Sequence, residues 1–77
     1  MDINTDKVDD AVLALLFLTS FKDHERVRAW KTLSWDVMNR LFEKGYMSDP
    51  RSKAKSVLLT EEGQERSKEL FEKLYCK

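Results

Sequence analysis

An uninterrupted apolar segment, residues 11–18, is the feature that most constrains how this chain can fold. It is too short to cross a membrane, which takes roughly 20 residues, and acidic side chains precede it where a secretory signal would be basic. Val8, Val12 and Leu15 recur at helical spacing, so we predict an α-helix over residues 6–22. A chain of 77 residues holds one hydrophobic core. We therefore expect a single domain, residues 1–77, built around this helix.

A second apolar stripe runs along the opposite side of the predicted helix. Leu13, Phe17 and Phe21 recur at intervals of four residues and share one face. Two explanations are open, because either the chain itself covers both stripes or one stripe meets a second copy. A large exposed apolar patch is unusual on a small monomer. The second explanation makes these three residues the interface of a homodimer.

The middle of the chain contains one well-marked helix. Residues 23–32 fit either a short strand or a single helical turn, with Val27 and Trp30 entering the core. Ser34 is a suitable N-cap and Gly45 a suitable left-handed terminator, which predicts a helix over residues 35–44. Leu33 and Met38 occupy the positions of a hydrophobic staple. The predicted buried stripe of this helix is Trp35, Met38, Leu41 and Phe42.

The residues after Gly45 change from helical to strand-like spacing. Residues 46–49 and 56–59 are short strand-like segments on either side of a polar loop, residues 50–55, and suggest a two-stranded β-hairpin. Thr60 then caps a closing helix, in which the small Gly63 and Ser67 allow another backbone to approach closely. The predicted fold class is α+β, with three main helices and a two-stranded hairpin.

Short motifs on residues 35–66 carry a family likeness. The chain reads Leu-Phe-Glu-Lys-Gly-Tyr at 41–46, Asp-Pro-Arg at 49–51 and Leu-Thr-Glu-Glu-Gly at 59–63. In this order the motifs resemble the wing region of MarR- and PadR-type winged-helix regulators. The resemblance implies a small winged-helix-like, DNA-binding domain whose wing is the 50–55 loop. The whole chain is also similar to small uncharacterised bacterial proteins of this length, which implies no activity.

Two features depart from the winged-helix pattern. A helix-turn-helix needs a helix packed three or four residues before the recognition helix, and residues 23–32 are too few to supply one with its turns. The helix in the recognition position also carries Asp36 and Glu43 beside Arg40 and Lys44. The resemblance therefore supports the fold better than it supports groove reading.

The charge of the chain limits any contact with nucleic acid. Lys and Arg number 14, against 14 Asp and Glu, so the net charge is zero. Cations concentrate in the 50–55 loop, called the basic loop below, and in Arg26, Arg28 and Lys31. The predicted nucleic-acid contacts are Arg26, Arg28, Lys31, Arg40, Arg51, Lys53 and Lys55. We expect weak, local binding that a dimer would strengthen; the alternative is a homodimeric protein-interaction module that binds no nucleic acid.

Few side chains could carry catalysis. His24 lies between Asp23 and Glu25 in a polar segment, and one histidine with one cysteine falls short of a four-ligand zinc site. Gly45 and Gly63 are isolated and form no phosphate-binding loop. We expect a binding protein with no catalytic residue, metal, cofactor, membrane contact or small-molecule substrate. The lone Cys76 has no disulfide partner within the chain, which favours the cytoplasm.

Overall fold

A computed structural model describes residues 1–31 and 34–76 of the chain. These residues form three helices and a three-stranded antiparallel sheet, which confirms the α+β class and the three helices. In chain order the elements are α1 (Thr5–Thr19), β1 (Phe21–Asp23), β2 (Arg26–Trp30), α2 (Trp35–Glu43), β3 (Ser56–Leu58) and α3 (Glu61–Tyr75).

Local side chains fix the ends of α1. Asn4 caps its start, where its side-chain oxygen accepts a hydrogen bond of 3.1 Å from the Lys7 backbone N–H. The helix ends at Thr19, three residues earlier than predicted. Ser20 adopts extended backbone and its hydroxyl donates to the Phe17 carbonyl at 2.8 Å, so the chain turns out of the helix and Phe21 begins β1.

The residues at the two ends of α2 confirm the predicted N-cap and the predicted left-handed terminator. The Ser34 side chain accepts a hydrogen bond from the Val37 N–H at 3.4 Å, and Gly45 has the positive φ of 84° expected after a helix end. The predicted staple pairs Leu33 with Met38, and Leu33 lies outside the described residues. Thr32, at the end of the segment 23–32, also lies outside them.

The sheet differs from the predicted hairpin. β1 and β2 pair through a two-residue turn in which His24 has a φ of 57°, and β2 pairs with β3 in a register that sets Arg28 opposite Leu58. Residues 46–49 form only an isolated bridge, Met47 to Leu59. The two-stranded prediction is therefore wrong: the sheet has three strands, and residues 46–49 stay outside it because the Leu58 N–H donates to the Ser48 side chain at 2.9 Å and not to a backbone carbonyl. The uncertain segment adopts the first of its two predicted alternatives, a strand.

A single buried cluster joins all three helices to the sheet. Its members are Leu13, Ala14, Leu16, Ala29, Val37, Met38, Leu41, Met47, Val57, Leu59 and Leu70. Val37 takes the place in the core that was predicted for Trp35, which is 56% exposed. The reason is rotational, since Val37, Met38 and Leu41 share one face of α2 and Trp35 lies outside it.

The second apolar stripe of α1 is largely covered by the chain itself. Leu13 is fully buried, which corrects its assignment to a dimer surface. Phe17 is half-buried and lies 5.2 Å, between ring centroids, from Phe71 of α3. Phe21 is in β1 and packs on Trp30 at 5.1 Å. The stripe is thus interrupted by α3 and by the start of the sheet.

A close backbone approach joins the start of α3 to the turn after α2. Gly63 and Ser67 are buried, and a Cβ placed on Gly63 would collide with the carbonyl oxygen of Tyr46. Thr60 secures the same junction, since its hydroxyl donates to the Gly45 carbonyl at 2.6 Å and accepts from the Gly63 N–H at 2.9 Å. The predicted close approach and the Thr60 cap are both confirmed. This junction holds Tyr46 and Thr60 together, the two residues between which the chain segment with the basic loop runs.

Candidate nucleic-acid interface

The basic loop contains one internally neutralised cation. The Arg51 side chain binds Asp49 through Nε to Oδ1 at 3.0 Å and through Nη2 to Oδ2 at 2.9 Å, and its backbone N–H also donates to that carboxylate. These bonds hold the pKa of Asp49 below its ordinary value and raise the pKa of Arg51. Arg51 is exposed, but Asp49 balances its charge.

Hydrogen bonds join the basic loop to a group of cations on β2 and just after it. This group, called the β2 cluster below, is Arg26, Arg28 and Lys31. The Lys31 backbone N–H donates to the Lys55 carbonyl at 3.1 Å, and the Lys31 ammonium donates to the Ser52 carbonyl at 2.6 Å. Arg28 donates from Nε to the Ser56 hydroxyl at 2.7 Å, where β3 begins. Two basic segments that are far apart in sequence therefore lie on one continuous surface.

Arg40 lies elsewhere and has a structural role. Its guanidinium binds both carboxylate oxygens of the fully buried Asp9, at 2.8–2.9 Å, and Lys44 binds the same carboxylate at 3.0 Å. Burial by itself raises the pKa of Asp9, but the hydrogen bonds from Arg40 and Lys44 outweigh burial and lower it. A buried carboxylate needs such partners. Arg40 therefore joins α2 to α1, which corrects its assignment to a surface that contacts nucleic acid.

Five of the predicted contact residues have no carboxylate partner in the described part of the chain. Arg26, Lys53 and Lys55 are exposed and form no ion pair and no side-chain hydrogen bond there. Arg28 and Lys31 keep their positive charge as well, because their hydrogen bonds go to uncharged oxygens of Ser56 and Ser52. Across the β1–β2 hairpin, the acidic Asp23 lies opposite Arg26. The free positive charge of the surface is thus spread over the basic loop and the β2 cluster.

Two exposed tryptophans lie next to Lys31, although the sequence pattern assigned both to the core. Trp30 and Trp35 are each 56% exposed. Lys31 follows Trp30 in the chain, and its ammonium lies 5.8 Å from the centroid of the Trp35 ring, within the range of a cation–π contact. Strand alternation could have identified Trp30, because Val27 and Ala29 face the core and the residues between and beyond them face outward.

The residues considered for catalysis are dispersed. His24 is in the hairpin turn with its side chain 95% exposed, as predicted for a loop residue, and Cys76 is exposed near the end of α3. Within residues 1–31 and 34–76, no three His, Cys, Asp or Glu side chains are placed to hold a metal ion. No helix in the same ranges is both long and apolar enough to span a bilayer.

The fold and this surface define a small α+β protein with a basic and aromatic patch where a three-stranded sheet meets an extended loop. The chain belongs to a family described as a domain of unknown function (DUF6429), whose model matches residues 4–77. It is 49% identical over 77 residues to the "Uncharacterized protein y4hR" of Sinorhizobium fredii (strain NBRC 101917 / NGR234), and the alignment covers the whole of both chains.

No solved structure matches the chain. The predicted likeness to small uncharacterised bacterial proteins is confirmed, and neither match is to a winged-helix regulator family.

Proposed function

We propose that this protein binds nucleic acid through the basic loop and the β2 cluster, as a winged-helix-like accessory or regulatory protein of the bacterial cytoplasm. The observation that carries the proposal is the pair of hydrogen bonds from Lys31 to the loop, through its backbone to Lys55 and through its ammonium to Ser52. These bonds hold the loop beside β2, so the free cations of both segments meet a ligand together. The exposed thiol of Cys76 fits a reducing compartment.

The loop, and not α2, is the contact element in this proposal. Arg40 of α2 and Lys44, which directly follows the helix, both bind Asp9 of α1, and the exposed residues of α2 include Asp36 and Glu43. A helix with that charge distribution repels phosphates. The element before α2 in the described residues is the β1–β2 hairpin and not a helix, so the packed helix pair that inserts into a major groove is replaced by strands.

Titration of labelled DNA and RNA, at about 50 and 200 mM salt, tests the proposal. The variant Lys53→Glu/Lys55→Glu should abolish most of the binding, because it reverses both lysine charges of the basic loop and so places two repulsive carboxylates beside the remaining cations. The matched control is Lys7→Glu/Lys73→Glu, which makes the same change in net charge on the surface between α1 and α3. Absence of binding at low salt, or equal loss in both variants, rejects the proposal.

A second candidate, a homodimeric interaction module, is favoured by exposed apolar side chains near the same surface. Leu15 is 48% exposed, Leu18 64% and Trp30 56%, and Leu15 and Trp30 line one depression between α1 and β2. We propose that a second copy covers this patch. Of the predicted stripe, Leu13 is buried, whereas Phe17 and Phe21 are half-buried and line a separate depression between α1, the sheet and α3.

Sedimentation equilibrium over a wide concentration range tests the dimer. Leu18→Glu should dissociate it without unfolding the chain, since Leu18 is mostly exposed. Leu74→Glu, at an apolar position on α3 that is 49% exposed, is the matched control and should leave the dimer intact. A wild-type monomer at the highest concentration excludes this candidate.

A further inference from the structure

We infer that the nucleic acid taken by this surface is single-stranded, with unpaired bases stacking on Trp35 and Trp30 while the basic loop contacts the phosphates. This inference rests on the proposed function and narrows its ligand. Two half-exposed tryptophans flank Lys31, which is itself hydrogen-bonded to the basic loop. Phosphate contact alone does not explain this arrangement.

Trp35 has the environment expected of a stacking residue. It is the first residue of α2, it is 56% exposed, and the Lys31 ammonium lies 5.8 Å from its ring centroid. A small domain ordinarily buries tryptophan, since the side chain is its largest source of apolar contact. Exposure beside a cation gives instead a surface that attracts a base through its π-face and its phosphate through charge.

Trp30 packs against a second aromatic ring on one side. Its ring packs on Phe21 with centroids 5.1 Å apart, and its neighbour on the same sheet face, Arg28, is bonded to Ser56. The contact with Phe21 restricts the orientation of the Trp30 ring, while more than half of the Trp30 surface is exposed. A preorganised ring loses little conformational entropy when a base stacks on it.

Single strands fit this arrangement better than duplexes do. Bases in a duplex are already stacked on one another and present only their edges in the grooves, whereas an unpaired base offers both faces. A helix that reads a duplex groove needs free polar side chains on its exposed face. Arg40 of α2 and Lys44 after it are bound to Asp9, so this helix offers no free cation to a groove. A lysine at the Trp35 ring, itself bonded to the basic loop, sets the aromatic surface next to the unpaired cations, which matches a short segment of single strand, on the order of 4 nucleotides or more.

The experiment compares oligothymidylate, oligouridylate and a duplex of equal length, about 12 nucleotides, by fluorescence anisotropy and by quenching of tryptophan emission. We expect both single strands to bind more tightly than the duplex and to quench emission, and the two single-stranded arms distinguish DNA from RNA. The chain has two tryptophans, so Trp30→Phe and Trp35→Phe each leave one reporter that assigns the quenching to its ring.

Trp35→Ala should weaken single-strand binding by at least about fivefold, which is the lower end of base–aromatic stacking. Trp35→Phe, which keeps a stacking face, should restore most of the affinity. Tyr75→Ala, at an aromatic residue of α3 that is 49% exposed, is the matched control and should bind like the wild type. Circular dichroism of each variant verifies folding.

The outcomes separate this inference from the proposed function. Tighter duplex binding, or single-strand binding unchanged in Trp35→Ala, overturns the inference and leaves nucleic-acid binding standing. No binding of any of the three probes at low salt overturns both. A shift in tryptophan emission that depends on protein concentration, with no response to the probes, assigns the aromatic surface to a second copy and also overturns the inference.

Discussion

The two glycines of this chain are required for different reasons, and the difference is measurable. Gly45 has a φ of 84° with open space around its Cα, whereas Gly63 lies inside α3 against the Tyr46 carbonyl. Gly45→Ala should lower the free energy of unfolding by about 1 kcal/mol through backbone strain. Gly63→Ala should cost about 1 to 3 kcal/mol through overpacking, although alanine is the better helix former. Urea denaturation measures both.

Asparagine distinguishes the two causes. Gly45→Asn should recover much of the loss at position 45, because asparagine tolerates positive φ. Gly63→Asn should be worse than Gly63→Ala, since the larger side chain meets the same carbonyl. A Gly63→Ala protein as stable as the wild type would contradict the close approach. The sequence predicts the role of Gly45 from its place after a helix and the close approach at Gly63 from its spacing with the small Ser67. It does not reveal that the approaching backbone is that of Tyr46.

The pairing of α1 with α2 depends on one buried carboxylate. Asp9 is fully buried, and its partners Arg40 and Lys44 have side chains 31% and 34% exposed. Asp9→Asn at neutral pH should lower the free energy of unfolding by about 1 to 3 kcal/mol, since two cations lose their anion while keeping some contact with water. Urea denaturation at pH 7 measures the loss.

The same group makes stability depend on pH in a defined direction. In the folded protein the pKa of Asp9 lies below its ordinary value of 3.8. Its contribution is therefore complete above that value and is lost as the pH falls through the lower, folded pKa. The difference between wild type and Asp9→Asn should shrink between about pH 5 and pH 2. Asp2→Asn, at an exposed position, serves as the control, and parallel curves for wild type and Asp9→Asn would contradict this role.

Elements that depend on local residues could be predicted, whereas those that depend on distant partners could not. The caps at Ser34 and Thr60 lie next to the helices they begin, so the sequence reveals them. Asp9 meets Arg40 across 31 residues, and in sequence it resembles any acid near a helix start. The strand β2 was ambiguous because its partner β3 is remote and its outward residues, including Trp30, mix charge with aromatic character.

At the scale of the whole molecule, a net charge of zero coexists with a local excess of positive charge. The structure leaves five cations of the proposed surface without a carboxylate partner, because Asp49 neutralises Arg51 and Asp9 binds Arg40. They are Arg26, Arg28, Lys31, Lys53 and Lys55. Five phosphate contacts on a single strand give a slope of about −3.5 in a plot of log affinity against log salt. Raising the salt from about 50 to 200 mM should then weaken binding on the order of 100-fold.

The variant Lys53→Gln/Lys55→Gln tests that count without adding repulsion. It leaves three of these cations, so the slope should fall to about −2 and the same rise in salt should weaken binding only about 20-fold. Lys7→Gln/Lys73→Gln makes an equal change in net charge on the surface between α1 and α3 and should keep the wild-type slope. If both double variants flatten the slope equally, net charge governs binding. If only the loop variant does, the neutral total hides a local phosphate site, because counterions are released only where cations and phosphates meet.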